Sequence, residues 1–256
     1  MPVTALVITL NEAAHIEACL ASLAWADERL VVDSGSTDDT VAIAARCGAT
    51  VITRPFDGYS AQKNFGASRA AHDWIVSIDA DERVTPELAA EMAAAVASPG
   101  DHAGFRMPRV TWHLGRWIRC TDWYPDNQLR LYDRRRARWN GRQVHESVIA
   151  DGPVGRLTHE LQHYAYRDIA HHLDTINKYT TLAAAEMHAR GRRTGPLELL
   201  AHPPAAFFRN YILRGGIFGG TPGLIVSVMN SYYVFLKFAK LAALRGEPVN
   251  LDLRSH

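Results

Sequence analysis

The 256 residues comprise 47% hydrophobic and 21% charged side chains, a composition that excludes an intrinsically disordered chain and fits one globular domain with at most a small appendage. The three cysteines, Cys19, Cys47 and Cys120, are too few and too scattered for a disulfide framework or a zinc knuckle, so we expect a reducing compartment. The net charge of +1 hides an asymmetry, because residues 1–100 hold 14 acidic and 6 basic side chains whereas residues 101–256 hold 13 and 22. A basic second part indicates an anionic partner, either a phosphorylated substrate or an acidic membrane surface, or else a plain solvated surface.

In residues 1–100, short apolar runs alternate with segments of helical periodicity, which predicts βαβ units around a mostly parallel sheet. The predicted strands are 6–10, 30–32, 51–53 and 74–78. A predicted helix follows each strand, and the expected N-caps are Asn11, Ser36 with Asp39 three residues on, Ser60 and Thr85.

Beyond residue 100 the pattern changes, and residues 128–132, 144–149 and 161–166 are predicted as strands or hairpins. Helical periodicity returns at 168–190. The last apolar block, 205–244, includes an uncharged stretch long enough to cross a bilayer, but its glycines, Pro222, Asn230 and Ser231 predict two short helices instead. We expect either an interfacial hairpin at a membrane or a helical appendage packed on protein.

Two carboxylates, Asp79 and Asp81, directly follow the predicted strand 74–78, at the end where open α/β sheets bind ligands. Hard oxygen donors of this kind suit Mg²⁺ or Mn²⁺ bridging a diphosphate. Such a cation would neutralise the charge that develops on a departing nucleoside diphosphate. An acidic pair alone is a weak signal, because acidic residues commonly begin surface loops.

Polar residues also mark the neighbouring strand ends. Asn11 and Glu12 end the first strand, and Asp33 ends the second before a Ser-Gly-Ser-Thr-Asp run whose acceptors can bind a base and a ribose. Lys63, early in the third helix, can place a cation near donor phosphates. Ligand-type residues at four successive positions of one predicted sheet edge indicate a nucleotide site.

The chain resembles the family-two glycosyltransferases in four ordered motifs: Thr9-Leu10-Asn11-Glu12, Val31-Val32-Asp33-Ser34-Gly35-Ser36-Thr37-Asp38, Gln62-Lys63-Asn64-Phe65-Gly66 and Ile78-Asp79-Ala80-Asp81-Glu82. Within that family it is most similar to the bacterial lipopolysaccharide core glucosyltransferases, which add glucose to an inner-core heptose. The resemblance implies a GT-A fold, an α/β, Rossmann-like, mostly parallel sheet flanked by helices, here with a C-terminal helical appendage. It further implies a UDP-sugar donor, a divalent cation and inversion at the anomeric carbon.

Carried over by position, the resemblance assigns donor binding to Thr9, Asn11, Glu12, Asp33, Ser36, Lys63, Asp79 and Asp81. Asp81 is the expected direct metal ligand, with Asp79 as the second candidate, and His145 could complete the site. His159 and His163 have metal-site spacing for a helix, but their segment is a predicted strand, so we do not expect a site there.

Inversion by a single displacement requires a base that takes the proton of the acceptor hydroxyl. Glu146 is our choice for this catalytic residue, with Asp122 and Asp126 as alternatives.

We expect residues 1–166 to form the catalytic domain, with 1–100 on the donor side and 101–166 on the acceptor side, and 167–256 to form the appendage. The predicted reaction moves glucose from a UDP-sugar to a lipid-linked or phosphorylated saccharide, the lipopolysaccharide inner core. We expect it at the cytoplasmic face of the plasma membrane, with the enzyme peripherally bound and with no nucleic acid as partner. The rival hypothesis is a non-catalytic module that binds a nucleotide-sugar or a glycan.

Overall fold

The computed structural model describes residues 1–141 and 146–244. The chain forms two compact units, an N-terminal unit of residues 1–110 and 126–164 and a C-terminal unit of residues 111–125 and 165–256. The later boundary lies close to the predicted one at residue 166. Residues 111–125 belong to the C-terminal unit, however. The predicted domains divide the chain once, after residue 166, and therefore place this segment in the N-terminal domain.

The strands are β1 (Val3–Thr9), β2 (Glu28–Asp33), β3 (Thr50–Thr53), β4 (Trp74–Asp79), β5 (Glu82–Val84), β6 (Gly104–His113), β7 (Arg116–Ile118), β8 (Asp126–Asp133), β9 (Ala137–Trp139), β10 (Val148–Ala150), β11 (Val154–Arg156) and β12 (Leu161–His163). The α-helices are α1 (Ile16–Ser22), α2 (Thr40–Arg46), α3 (Tyr59–Arg69), α4 (Pro86–Ala97), α5 (Ile169–Ala189), α6 (Pro196–Phe208) and α7 (Gly220–Ala243).

The main sheet of the described residues has the order β3-β2-β1-β4-β8-β6-β12-β5. The first four strands pair in parallel, and antiparallel strands extend the sheet beyond β4. The predicted α/β class, a largely parallel sheet flanked by helices and followed by a helical segment, is confirmed.

The two faces of β1 point into two separate cores because side chains alternate along a strand. Val7 packs in one core with Leu20 of α1 and Met92 of α4. Leu6 packs in the other, where α3 lies against the sheet. Every residue of β1 is buried, as expected of a strand covered on both faces.

Three of the predicted helix caps are wrong. α1 begins at Ile16 rather than after Asn11, α2 begins after Asp39, and α3 begins at Tyr59 with Ser60 already inside it. Asn11 and Ser36 are instead used to join two loops of the sheet edge. The cap at Thr85 is confirmed, since its hydroxyl accepts a hydrogen bond from Leu88 N at 3.2 Å.

The prediction of two short helices in 205–244 is also wrong. α6 begins upstream at Pro196, a five-residue π-helical turn follows it (Arg209–Leu213), and α7 is one continuous helix. Asn230 does not interrupt α7 because its amide is used in the interior of the unit, donating to Asn210 Oδ1 at 2.7 Å. Gly223 permits a close chain approach, since a Cβ there would lie 2.0 Å from Gly216 O.

Among the described residues, the segment Gly216–Ala243 is long and apolar enough to cross a membrane, by length and composition alone. Residues 245–256 of the predicted appendage lie outside the described residues.

Candidate active site

The carboxyl ends of β1, β2 and β4 lie side by side at one edge of the sheet. β1 pairs in parallel with both neighbours, and the register aligns Thr9 with Asp33 and Ile8 with Asp79. This is the edge at which open α/β sheets bind ligands. The predicted residues gather here in two groups, one on each side of β1.

Asp79, the last residue of β4, is held by two cationic side chains. Its Oδ1 lies 3.0 Å from Lys63 Nζ, and its Oδ2 accepts a hydrogen bond from Arg130 Nη2 at 2.6 Å. Burial would raise the pKa of Asp79, but Arg130 and Lys63 outweigh burial and hold this pKa well below its ordinary range. Asp79 is therefore ionised at physiological pH, with both carboxylate oxygens engaged.

Lys63 reaches the site from α3, and its side chain is only 2% exposed. Its Nζ lies 4.3 Å from the centre of the Trp139 ring and 3.9 Å from Glu146 Oε1. An ammonium group withdrawn from water needs compensating partners, and here they are two carboxylates and an aromatic face. Lys63 thereby lies between Asp79 and Glu146, an arrangement that the sequence analysis did not predict.

Asp81 faces a histidine that sequence reasoning rejected as a ligand. His163 Nε2 lies 3.2 Å from Asp81 Oδ2. The cause is strand pairing, because β12 runs antiparallel to β5 with His163 opposite Glu82. Burial raises the pKa of Asp81, but the hydrogen bond and charge of His163 outweigh it, so this pKa is lower than in water.

Glu82, which was not predicted as a site residue, is a fully buried carboxylate behind the acidic pair. Its Oε2 accepts from Asp79 N at 2.9 Å, and its Oε1 accepts from Arg109 Nη1 and Arg130 Nη2, each at 2.9 Å. These contacts orient the loop that carries Asp81. The Asp-Ala-Asp-Glu motif was visible in sequence, but its arginine partners lie on β6 and β8, whose pairing was not.

The second group is a hydrogen-bonded loop network at the end of β2. Asp33 Oδ2 accepts from Gly35 N at 2.9 Å and Ser36 N at 3.0 Å, while Ser36 Oγ donates to Asp33 Oδ1 at 2.5 Å. Asn11 N donates to Ser36 Oγ at 2.8 Å, and Asn11 Oδ1 accepts from Thr37 N at 2.8 Å. Asn11 has a left-handed φ of 55°, a conformation that asparagine tolerates better than most residues.

Thr9 and Glu12 flank this network. The hydroxyl of Thr9 is buried and makes no hydrogen bond within the part of the chain that the structure describes. Glu12 N donates to Thr40 Oγ1 at 2.8 Å. An orphaned hydroxyl at a strand end is the kind of group that a bound ligand satisfies.

The alternative bases are both engaged in ion pairs. Asp126 accepts from Arg109 Nε at 2.9 Å and Nη2 at 2.6 Å. Asp122 belongs to the C-terminal unit, where it pairs with Arg209. Glu146 has a looser contact with Lys63 and a side chain that is 26% exposed.

Tyr59, which sequence reasoning did not single out, lies near the same carboxylates. The pKa of its hydroxyl is raised, first by burial and then by the nearby carboxylates of Glu146, Asp79 and Asp81. Its ring packs edge-on against Phe56, 5.1 Å between centres. An aromatic ring beside these carboxylates could contact a sugar or a base.

The carboxylates fit a divalent cation that completes its coordination with donor oxygens. Among the described residues, no three His, Cys, Asp or Glu side chains are arranged to hold a metal ion. Mg²⁺ commonly takes only one or two protein carboxylates together with substrate phosphates and water. Asp81, with His163 adjacent, fits this role better than Asp79, whose oxygens are held by Lys63 and Arg130. The candidate ligand His145 lies outside the described residues.

The family model for glycosyl transferase family 2 matches residues 4–150, the span that includes both groups of the site. The chain belongs to glycosyl transferase family 2. The family prediction is thus confirmed, and the chain is a glycosyltransferase of that family.

Several relatives match along nearly the whole chain. The lipopolysaccharide core biosynthesis glycosyltransferase LpsC of Rhizobium meliloti is 31% identical, over 100% of this chain and 98% of that protein. An uncharacterized glycosyltransferase of Rickettsia felis is also 31% identical, over 99% of this chain and 94% of that protein.

Among solved structures, the glucosyl-3-phosphoglycerate synthase of Mycobacterium tuberculosis in complex with Mn²⁺, UDP and glucosyl-3-phosphoglycerate has a TM-score of 0.38 and 25% sequence identity. The match covers 41% of this chain and 43% of that one. The match therefore takes in less than half of either chain.

Proposed function

We propose that this glycosyltransferase transfers glucose, with inversion, from a UDP-sugar to a lipid-linked saccharide of the lipopolysaccharide inner core. The observation that carries the proposal is the convergence of Asp79, Asp81, Lys63 and Glu146 at the edge of a family-two sheet. The relative named for lipopolysaccharide core biosynthesis supports the choice of acceptor.

The donor occupies the sheet edge at the ends of β1, β2 and β4. The loop network of Asp33, Ser36 and Asn11 forms the base and ribose side, and Thr9 and Glu12 border it. Lys63 and Arg130 hold Asp79 ionised and place positive charge where the diphosphate must lie.

Asp81 holds the divalent cation, Mg²⁺ or Mn²⁺, with Asp79 close by. When bound, this cation supplies charge neutralisation for the departing UDP. His163 orients the Asp81 carboxylate by binding Oδ2, and Oδ1 takes no part in that contact.

Glu146 takes the proton of the acceptor hydroxyl as that oxygen attacks the anomeric carbon. One in-line attack opposite the leaving group inverts the configuration. The partly exposed carboxylate can approach an incoming hydroxyl, whereas Asp126 is held in an ion pair in which its Oδ2 accepts from both Nε and Nη2 of Arg109. A lipid-linked acceptor places the enzyme at the cytoplasmic face of the plasma membrane, peripherally bound.

The test is UDP release from UDP-glucose by the purified protein with Mg²⁺ or Mn²⁺, with and without an inner-core acceptor. We expect metal-stimulated release that the acceptor increases, and Asp81→Ala should lower it by at least two orders of magnitude. Asp101→Ala, an exposed carboxylate outside the site, is the matched control. Binding of UDP-glucose without any turnover would favour the non-catalytic module instead.

A further inference from the structure

A cavity of about 220 Å³ in the C-terminal unit is lined by three arginines. Arg116, Arg119 and Arg214 contribute to its wall together with Cys120, and no acidic side chain lines it within the described part of the chain. Arg116 donates to the neutral Gly219 O at 3.0 Å. Arg116 therefore brings a positive charge to the cavity that is paired with no carboxylate of the described residues.

Among the described residues, the Asp122 carboxylate lies beside Arg214 and does not cancel its charge. Asp122 Oδ1 lies 3.6 Å from Arg214 Nε, while Asp122 Oδ2 is bound by Arg209 through two N–H groups and by Asn210. One carboxylate is thus shared between two guanidinium groups. The Arg214 side chain remains 55% exposed.

Large apolar side chains surround the cavity and are left in contact with solvent. Phe218, which lines the cavity, is 89% exposed, and Leu213 and Ile217 are 68% and 48% exposed. Exposing a phenylalanine this far is unfavourable in water, so an apolar phase is the fitting environment for it. A cationic cavity with an apolar rim matches an amphiphile that has an anionic head.

The outward face of α7 continues the apolar rim. Leu224, Val228, Tyr232 and Phe235 follow each other at intervals of three or four residues and are each more than 40% exposed. Residues 199–244 contain no acidic residue and four basic ones. This composition favours a surface that carries negative charge.

The inward face of α7 is packed within its own unit, which argues for a helix lying on a membrane rather than crossing it. Ser231 Oγ donates to Pro203 O of α6 at 2.8 Å, and Lys240 Nζ donates to Asn177 O of α5 at 2.6 Å. A helix tied to soluble neighbours along one side can present only its other side to lipid.

We propose that this surface docks on anionic phospholipid, with the headgroup phosphate bound in the arginine cavity and Phe218, Leu213 and Ile217 inserted among the acyl chains. The inference extends the proposed function, which requires a membrane-linked acceptor, by naming the site and the lipid chemistry that retain the enzyme there. Arginine suits the role because its N–H groups can bind phosphate oxygens in pairs.

The experiment is co-sedimentation of the full-length protein with vesicles, without donor or metal, so that its outcome is separate from that of the transferase assay. Vesicles of phosphatidylcholine alone are compared with vesicles of phosphatidylcholine and phosphatidylglycerol in a three-to-one ratio. We expect binding to the anionic vesicles only, weakening as salt is raised.

Two sets of variants locate the contact. Arg116→Gln with Arg214→Gln should weaken binding about 25-fold, since each basic residue near an anionic surface contributes about fivefold. Phe218→Gln should weaken it at unchanged charge. Arg46→Gln and Ile149→Gln, exposed residues of the N-terminal unit, are the matched controls and should bind as the unchanged protein does.

Three outcomes would overturn the proposal: no preference for anionic vesicles, full binding by the double arginine variant, or equal loss in the controls. Inorganic phosphate at constant ionic strength tests a different source of the same chemistry. Binding of phosphate to the protein without any loss of vesicle binding would assign the cavity to a soluble phosphate and also overturn it. Thermal melting of each variant confirms that it folds.

Discussion

Lys63 is a buried cation whose charge is compensated by the groups around it at the candidate site. A buried ammonium costs several kcal/mol unless opposite charge and hydrogen bonds replace water. Asp79 at 3.0 Å and the Trp139 ring at 4.3 Å supply that replacement. In return, Lys63 and Arg130 keep Asp79 ionised.

Glu146→Gln should retain UDP-sugar binding and lose transfer. The amide is close in size to the carboxylate but cannot take the acceptor proton, so kcat should fall about 10²- to 10⁴-fold while the KM for the donor changes little. Steady-state kinetics with the inner-core acceptor measures both.

Asp126→Asn is the comparison for the base. It should alter stability through loss of its Arg109 ion pair more than it alters kcat. Full transfer by Glu146→Gln would move the base to Asp126 or Asp122.

The sequence predicted that Asp33 and Asp79 lie at the ends of parallel strands and that Asp81 follows directly after, and the structure has them there, while their roles in a site stay predictions. His163, Glu82 and Arg130 were not identified as site residues, because their positions depend on the pairing of β12 with β5 and of β8 with β4 and β6. Antiparallel pairing between distant short strands leaves no local signal in composition or periodicity.

At the scale of elements, α3 shows why one short motif can serve several purposes. Successive residues of a helix point in different directions, so Gln62 bonds Arg54, Lys63 enters the site and Asn64 bonds the Trp139 backbone. Gly66 faces Leu6 of β1 and lets the helix lie close to the sheet.

Gly66→Ala should therefore destabilise the protein despite the better helix propensity of alanine. The added Cβ would lie 2.3 Å from Leu6 Cδ1, and overpacking of this kind costs about 1–3 kcal/mol. Urea unfolding measures the change. Ser68→Ala, exposed on the same helix, should stay near the unchanged protein, and an equally stable Gly66→Ala would contradict the close packing.

Helix and strand identity was largely predictable, whereas the ends of the helices were not. Asn11 and Ser36 have the chemistry of N-caps, but the loops at the sheet edge use the same hydrogen-bonding groups for each other. Likewise, Asn230 and Ser231 suggested a break in α7, yet buried partners in the same unit satisfy both side chains.

At the scale of the whole molecule, stability should depend on a buried histidine pair in the C-terminal unit. His172 Nδ1 lies 3.2 Å from His113 Nε2, and both residues are almost fully buried. Burial chiefly, with the charges of His113 and His171, lowers the pKa of His172 from 6.5 to about 4. The folded protein therefore resists protonation of His172 over a range in which the unfolded chain accepts it.

Because the unfolded state binds the extra proton first, His172 contributes full stability above pH 6.5, and that contribution is lost as the pH falls towards about 4. The melting temperature should decrease across this window. The melting temperature of His172→Gln should decrease less steeply over the same pH range. His202→Gln, at an exposed position of the same unit, is the control. Parallel curves for His172→Gln and the unchanged protein would contradict the assignment.

The central claim is that Asp81 binds the cation that in turn binds the donor diphosphate. Calorimetric titration of UDP with and without Mn²⁺ tests it most directly. We predict that Mn²⁺ tightens UDP binding at least tenfold in the unchanged protein and in Asp101→Ala, and not at all in Asp81→Asn. Equal enhancement by Mn²⁺ in Asp81→Asn would show that the metal is held elsewhere and would contradict the account.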